Sequence, residues 1–315
     1  MSKKTRYLLG ILLTIVIGMI LMWLFCCKES ADKENTIKDQ DNQEEVNTPP
    51  PPVVINTTTN MGFTFKDSID GNFAYKSDDN FNFNISDFNI LTPVSEKINI
   101  GIGKLQTHLD GNTGKSIDVT GLYTSSENNT SAFPNLGVAR ANAVKNYLRS
   151  KGISPMQINI FGREDNMLIS NDSIFSDSMR FLISESINKN DESEALAALK
   201  KRINDDPLIL HFGNAQASIN PTVAQRQKIA NINRYLDKVE GASINIEGHT
   251  DNTGSRVTNI RLGQNRANSV KRDFINNGIS EARIITSSKG PDEPIASNAT
   301  EEGRAKNRRS IVTIN

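Results

Sequence analysis

An internal repeat constrains the fold of this chain more than any other feature of the sequence. Residues 139–154 (ARANAVKNYLRSKGIS) match residues 265–280 (NRANSVKRDFINNGIS) at 8 of 16 positions without a gap. The match extends upstream to further shared positions: Leu136-Gly137 with Leu262-Gly263, and Gly121 with Gly248 after one inserted residue. Because repeated sequence reflects a repeated structural unit, we expect two copies of one domain in tandem.

The hydrophobic pattern around each repeat predicts the same order of elements. A helix with one apolar face comes first, then an alternating strand, the repeat helix and two further strands. The apolar positions of the first helix are Ile98, Ile102, Leu105 and Leu109 in one copy, and Ile229, Ile232, Leu236 and Val239 in the other. In the second copy, Asn220 and Pro221 predict the helix start. The expected fold class is therefore α/β. Residues 57–80 add an irregular extension or an edge strand.

The N-terminus has the pattern of a membrane anchor. Lys3, Lys4 and Arg6 precede an uncharged run of 19 residues from Tyr7 to Phe25, close to the ~20 that a spanning helix needs. The basic flank predicts a cytoplasmic N-terminus and periplasmic domains. A cleaved signal peptide and a lipoprotein attached through Cys26 or Cys27 are the alternatives.

Small residues four positions apart lie on one face of that run, at Gly10, Thr14 and Gly18. This spacing permits close helix approach and hence a homodimer, although such residues are also ordinary in membrane helices.

Composition divides the chain into five segments. Residues 1–28 are the flank and anchor, and 29–56 are a polar, disordered linker with a run of four prolines. The first domain is predicted at 57–187, a second linker at 188–205, with a short helical pattern, and the second domain at 206–315.

A second informative feature is the motif GHTDNTGS at 248–255. A strand leads into it, and the helix that follows contains Arg266. Asp251 on a tight loop and Arg266 on the next helix form a bipolar pair that suits a ligand with both an ammonium and a carboxylate group. We expect both side chains to project outward without core packing, so that replacing either leaves the fold intact.

These residues closely resemble the OmpA-like peptidoglycan-binding family. The match covers roughly residues 206–315 and also includes Asn259, Leu262, the segment RANSV (266–270) and the tail GRAKNRR (303–309). Gly263 departs from the family, which usually has Ser there, and Gly290-Pro291-Asp292 replaces the usual Gly-x-Gly-Glu. The resemblance implies a βαβαβ-type α/β sandwich with helices on one sheet face.

The resemblance also implies roles for individual residues. Asp251 and Arg266 would hold the diaminopimelate side chain of the peptidoglycan stem peptide. Asn259 either hydrogen-bonds the ligand or caps the Arg266 helix, Thr250 lies near the pair, and Arg308 either borders the pocket or braces the loop. The first copy retains Arg140 opposite Arg266. It has Thr124 at the Asp251 position, Glu127 three residues later, and no GRAKNRR tail, which indicates a degenerate domain that does not bind peptidoglycan.

Composition and motifs exclude several other functions. Equal numbers of basic and acidic residues, 36 each, argue against a nucleic-acid partner. No cysteine or histidine spacing indicates a metal site or a cofactor, and no catalytic triad or supported carboxylate pair indicates a hydrolase. The expected function is a non-enzymatic protein of the cell envelope that binds peptidoglycan and tethers it to a membrane. The alternatives are a stator-like or secretion-machine component, a peptidoglycan-associated lipoprotein, or a muralytic enzyme.

Overall fold

The computed structural model describes residues 62–67, 71, 73–186 and 189–315, which belong to one compact unit spanning Thr58–Asn315. None of the helices within these residues is long and apolar enough to cross a bilayer. The predicted anchor at Tyr7 to Phe25, its dimer face and the predicted linker at 29–56 lie outside the described residues.

The N-terminal module is built on a three-stranded sheet. Its central strand β4 (Lys115–Tyr123) pairs in parallel with β5 (Ile158–Glu164) and antiparallel with β7 (Met179–Glu185). The sheet packs with α1 (Glu96–Asp110) and α2 (Leu136–Ser150) around one apolar core. Within the extension predicted at 57–80, the described residues include a short two-stranded hairpin. The hairpin of β1 (Phe65–Lys66) and β2 (Ala74–Tyr75) bridges to β7 through Asp67. Two short strands, β3 (Phe83–Asn84) and β6 (Ile174–Phe175), pair separately.

The C-terminal module repeats this arrangement and adds a strand. Strand β9 (Ile244–His249) pairs in parallel with β10 (Ile284–Gly290) and antiparallel with β11 (Arg309–Ile314), and β8 (Leu208–His211) extends the sheet beyond β11. Its helices are α4 (Val223–Lys238), α5 (Arg256–Asn276) and the short α6 (Glu301–Asn307). The mixed α/β fold class predicted from the sequence is confirmed.

Two boundaries differ from the sequence-based expectation. Helix α3 (Lys189–Asp205) fills most of the predicted linker at 188–205, and its Leu199 and Ile203 lie in the core of the C-terminal module. These apolar positions bury against the sheet, so α3 is part of that module. Helix α4 begins after Thr222, whose side chain forms a capping box with Gln225, rather than at Asn220 and Pro221. The capping box satisfies free N–H groups of the first turn.

The two modules contact each other through the repeat helix of the first. In α2, Asn142 donates from Nδ2 to the carbonyl of Asn277 at 2.9 Å, and the ammonium of Lys145 forms an ion pair with Asp237 of α4. Arg226 of α4 donates to the carbonyl of Asn129 at 3.0 Å. Because the Lys145 side chain is only 4% exposed, the two modules form a packed interface from which water is largely excluded at this ion pair.

Close approach of helix to strand depends on paired glycines in both modules. A Cβ on Gly248 would lie 1.9 Å from the carbonyl oxygen of Gly263, and one on Gly121 would lie 2.1 Å from that of Gly137. Both obstacles are backbone atoms, so they cannot swing aside. The glycines shared by the two sequence repeats therefore set the distance between the strand and the following helix.

Replacing Gly248 with alanine should consequently lower the free energy of unfolding by about 3 kcal/mol, the upper end of the usual range for overpacking. Urea unfolding of the full chain would measure the loss. Gly103 is a matched control, because it lies exposed in α1 and a Cβ added there would have no atom within 4 Å, so alanine should be neutral or slightly stabilising. Equal stability of the two variants would contradict this explanation of Gly248.

Candidate functional site

Asp251 lies two residues after the end of β9, on the loop that leads into α5. It is only 5% exposed. Its Oδ1 accepts a hydrogen bond from the backbone N–H of Thr253 at 2.9 Å, and its Oδ2 accepts one from Nη1 of Arg308 at 3.0 Å. Burial acts to raise the pKa of Asp251, but the hydrogen bonds from Thr253 and Arg308 outweigh it and hold the pKa below its usual value. Asp251 is therefore an ionised carboxylate at neutral pH.

Arg266 of α5 is fully buried, contrary to the expectation that its side chain projects outward. Its guanidinium donates to three backbone carbonyls and lies 5.2 Å from the ring centroid of Phe212. The three bonds are Nε to Gln216 at 3.0 Å, Nη1 to His249 at 3.0 Å, and Nη2 to Gly213 at 3.1 Å. Replacing Arg266 would remove three hydrogen bonds made by a fully buried side chain, so we expect the substitution to destabilise the fold.

The electrostatic state of Arg266 follows from its surroundings. Burial lowers its pKa to about 10, against an opposing effect of Asp251, so the group is still cationic at neutral pH. A guanidinium has five N–H donors, and three are used. Within the part of the chain that the structure describes, the remaining N–H on Nη1 and the remaining N–H on Nη2 have no acceptor. The group therefore retains a fork suited to a carboxylate.

The other predicted site residues brace the loop around Asp251. Thr250 bonds through its backbone N–H to Gly290 and through its hydroxyl to the carbonyl of Asp251, both at 2.8 Å. Asn259 donates to the carbonyl of Thr253 at 3.1 Å. It does not cap α5, because Ser255 does so. Both residues are almost fully buried, at 2% and 3% exposed.

Arg308 is the residue of the GRAKNRR tail that reaches the site. Besides its bond to Asp251, it donates from Nη2 to Glu301 at 2.8 Å and from Nε to the carbonyl of Phe212 at 3.2 Å. It thus joins the Asp251 loop, helix α6 and the segment after β8. Arg308 was predicted either to border the pocket or to brace the loop, and these contacts are those of a residue that braces the loop.

Arg140 in the N-terminal module has nearly the same surroundings as Arg266. It is fully buried, and its guanidinium lies 5.6 Å from the ring centroid of Phe83. It also donates to three carbonyls: Nε to Asp87 at 3.0 Å, Nη1 to Leu122 at 2.8 Å, and Nη2 to Asn84 at 3.3 Å. Segments 83–87 and 212–216 thus correspond position by position. Ser86 and Ala215 within them both have positive φ, of 59° and 55°.

One partner distinguishes the two arginines. The carboxylate of Glu127 meets both terminal nitrogens of Arg140, Oε1 at Nη2 and Oε2 at Nη1. The same two oxygens accept from the backbone N–H groups of Ser86 and Thr124, each at 2.9 Å. The described residues of the C-terminal module provide no such carboxylate for Arg266. The sequence gives little sign of the segment Phe212–Gln216, whose only identity with 83–87 is the first phenylalanine.

A second cluster lies beside the site at the end of β9. His249 is buried, and although its Nε2 lies 3.3 Å from Oε1 of Glu247, neither ring nitrogen makes a hydrogen bond within the described residues. The side chains of Glu247 and Glu293 come near enough that the three could hold a metal ion, all ligand atoms lying within 4.8 Å. However, the ammonium of Lys289 lies 2.8 Å from Glu293 and 3.8 Å from Glu247. A cation already balances these carboxylates, which disfavours a divalent ion.

His249 should make folding stability depend on pH. Burial, reinforced by Arg309, lowers its pKa to about 4 from 6.5. Since the unfolded chain binds the proton more tightly, stability is full above pH 6.5 and falls as the pH drops from 6.5 towards 4. The loss should reach about 3 kcal/mol near pH 4. Urea unfolding at pH 7 and pH 4 would measure it against His249→Gln, which keeps all other titrating groups. If the wild type and His249→Gln lose the same stability between pH 7 and pH 4, His249 is not the group responsible.

Known proteins resemble part of this chain in sequence. A family model described as the OmpA family matches residues 212–308. A probable lipoprotein of Escherichia coli K12, YiaD, is 38% identical over 103 residues, which cover 33% of this chain and 46% of YiaD. The peptidoglycan-binding protein ArfA of Mycobacterium tuberculosis H37Rv is 42% identical over 107 residues, which cover 33% of this chain and 31% of ArfA. The chain therefore spans less than half the length of these curated relatives.

Among solved structures, the peptidoglycan-associated lipoprotein of Burkholderia pseudomallei matches with a TM-score of 0.32 and 27% identity, over 34% of this chain and 89% of that one. The region shared with YiaD and ArfA is about the size of the C-terminal module, and the family model includes both Asp251 and Arg266. Through residues 212–308, this chain is a member of the OmpA-like peptidoglycan-binding family.

Proposed function

We propose that the C-terminal module binds the diaminopimelate residue of the peptidoglycan stem peptide, with Arg266 receiving its side-chain carboxylate. The observation that supports this most is the buried, cationic Arg266 with two uncommitted N–H groups. Burying a charge without a counter-ion is costly, and a carboxylate bound to the fork offsets that cost with two charge-assisted hydrogen bonds. In the N-terminal module, Glu127 supplies a carboxylate in the corresponding position.

The segment Phe212–Gln216 supports the same position for the ligand. The Arg266 side chain is fully buried, but Gly213, Ala215 and Gln216 beside it are exposed, so we infer that a ligand reaches the guanidinium by displacing part of this segment. The backbone N–H of Ser86 donates to Glu127 in the N-terminal module, whereas the N–H of its counterpart Ala215 has no acceptor among the described residues. We infer that Ala215 donates a third hydrogen bond to the ligand carboxylate.

Asp251 would receive the ammonium of the same ligand residue. An ionised carboxylate offers about four acceptor positions, and Thr253 and Arg308 use two of them. Arg308 fixes the orientation of the group, and Thr250 and Asn259 fix the loop. In this proposal Asp251 and Arg266 contact the ligand, whereas Thr250, Asn259 and Arg308 hold the site in shape. The domain needs no catalytic group for this role.

We further infer that the two modules are tandem copies of one domain, of which the first is degenerate. The shared sheet order, the glycine pairs and the matching carbonyl contacts of Arg140 and Arg266 support this inference. So do Thr124 in place of Asp251 and the missing tail. The first module would then span 57–187. The second would span 189–315, because α3 is added to the predicted 206–315.

The complete chain would act in the cell envelope as a tether between peptidoglycan and a membrane. The uncharged run from Tyr7 to Phe25 would supply the membrane attachment, and the linker at 29–56 would span roughly 30 Å as a flexible coil. Attachment through a lipid on Cys26 or Cys27 is a second candidate, favoured by the likeness to a probable lipoprotein. Intact-mass measurement of the chain from membranes would distinguish the two.

Cosedimentation with purified sacculi tests the binding proposal. The full chain should pellet with sacculi that contain diaminopimelate, and a soluble stem tripeptide ending in diaminopimelate should release it. A tripeptide ending in lysine, which lacks the second carboxylate, should compete much less. If the chain stays in the supernatant, or if both tripeptides release it equally, the proposed ligand is wrong.

A further inference from the structure

The Arg140 site of the N-terminal module has all the parts of a carboxylate-binding site. Three backbone carbonyls orient the guanidinium, and the two N–H groups left over point to one carboxylate. Two backbone N–H groups, from Ser86 and Thr124, complete the set of donors around the same two oxygens. Four donors converging on one carboxylate exceed what an ordinary surface ion pair provides.

The carboxylate in this site belongs to the chain itself. The Glu127 side chain is only 1% exposed and already meets both terminal nitrogens of Arg140, so an external carboxylate would have to displace it to bind the guanidinium. Each Glu127 oxygen accepts from one guanidinium nitrogen and one backbone N–H, which satisfies both oxygens. The Glu127 carboxylate therefore fills the position beside the Arg140 guanidinium instead of lying at its edge.

Comparison with Arg266 indicates why Glu127 differs from a structural ion pair. The carbonyls that orient the two arginines correspond one to one, as do the stacked phenylalanines Phe83 and Phe212. Arg266 keeps the same contacts without any carboxylate partner in the described residues. The carbonyl cage therefore does not require an internal acid, and Glu127 is an addition to a set of contacts that forms without it in the C-terminal module.

From these contacts we propose that Glu127 is a built-in ligand. It occupies, within the same chain, a carboxylate-binding site of the N-terminal module, and removing its side chain opens that site to small external carboxylates. The Arg140 fork of the native N-terminal module is then occupied, whereas the Arg266 fork has no carboxylate partner among the described residues. This inference concerns a different site from Arg266, and it holds whether or not the C-terminal module binds peptidoglycan.

Chemical rescue tests the proposal in the full chain. Glu127→Ala should lower the melting temperature by roughly 5–10 °C in sodium chloride, because it leaves Arg140 buried without a counter-ion. Replacing the chloride with sodium propionate at the same ionic strength, about 0.5 M, should recover at least half of that loss by binding the folded state. The wild type should shift by no more than about 2 °C between the two salts.

Two further variants keep the test decisive. Glu127→Gln fills the same space with a neutral amide, so it should be destabilised without recovery in propionate. Glu127→Ala combined with Arg140→Lys loses the fork and should not recover either. The proposal is overturned if Glu127→Ala is as stable as the wild type, if propionate gives no more recovery than chloride, or if Glu127→Gln recovers equally. A Glu127→Ala chain that folds in neither salt also overturns it.

Discussion

Replacing Arg266 with alanine should weaken binding of the full chain to diaminopimelate-containing sacculi by about 10- to 150-fold, equivalent to ~1.5–3 kcal/mol. The substitution removes a preorganised fork that a ligand carboxylate would use. On sacculi whose stem peptides contain lysine instead, the same substitution should cost much less, because the second carboxylate is missing. Asp251→Ala should cost about the same on both substrates, since both offer an ammonium. Quantitative cosedimentation measures all four losses.

Two arginines of the same chain serve as controls for this experiment. Arg140→Ala also removes a fully buried guanidinium from three carbonyls, so it should destabilise the fold without weakening binding. Arg261 lies exposed on the same helix as Arg266, and its replacement should affect neither property. Each variant is compared only where circular dichroism shows that it is folded. If Arg266→Ala weakens binding equally on both kinds of sacculi, Arg266 does not contact the second carboxylate.

Breaking the ion pair between the modules should strongly lower the stability of the fold. Lys145→Ala should lower the free energy of unfolding by about 3 kcal/mol, because it leaves the carboxylate of Asp237 largely buried and unpaired. The two side chains are only 4% and 18% exposed. Urea unfolding, followed by far-ultraviolet circular dichroism, would measure the loss.

A double variant and an exposed pair provide the controls. Lys145→Met with Asp237→Leu removes both charges, so it should recover much of the loss. Lys201→Ala breaks a pair in α3 whose side chains are 76% and 61% exposed, and solvent screening should keep its effect below about 0.5 kcal/mol. A loss for Lys145→Ala no larger than that for Lys201→Ala would contradict the packed interface between the modules.

Regular patterns predicted most of the fold correctly. The apolar face of α1 and the order of helices and strands around each repeat agree with the sequence pattern, because periodicity reports directly which residues face a core. The shared glycines were found as sequence matches, and the structure supplies their reason in the contact of Gly248 with Gly263. By contrast, the predicted linker at 188–205 contained the helical pattern of α3, but its charge concealed that Leu199 and Ile203 pack into a core.

The candidate site was predicted only in part. Asp251 and Arg266 were identified through a motif, which says nothing about burial. Their partners come from distant parts of the chain: Arg308 from the C-terminal tail, and the carbonyls of Gly213 and Gln216 from a loop without a sequence signature. Backbone carbonyls of any residue type can orient a guanidinium, so residue identity does not reveal them. The contact of Glu127 with Arg140 was not predicted either. It depends on the conformation of the loop before Glu127, which residue identity does not reveal.

The central claim is that Arg266 recognises the side-chain carboxylate of diaminopimelate. Calorimetric titration of the full chain with two soluble stem tripeptides, ending in diaminopimelate or in lysine, tests it most directly. The diaminopimelate peptide should bind at least about 10-fold more tightly to the wild type, and Arg266→Ala should remove this preference while Arg140→Ala keeps it. Equal affinity of the wild type for both peptides, or a preference that survives Arg266→Ala, would contradict this claim.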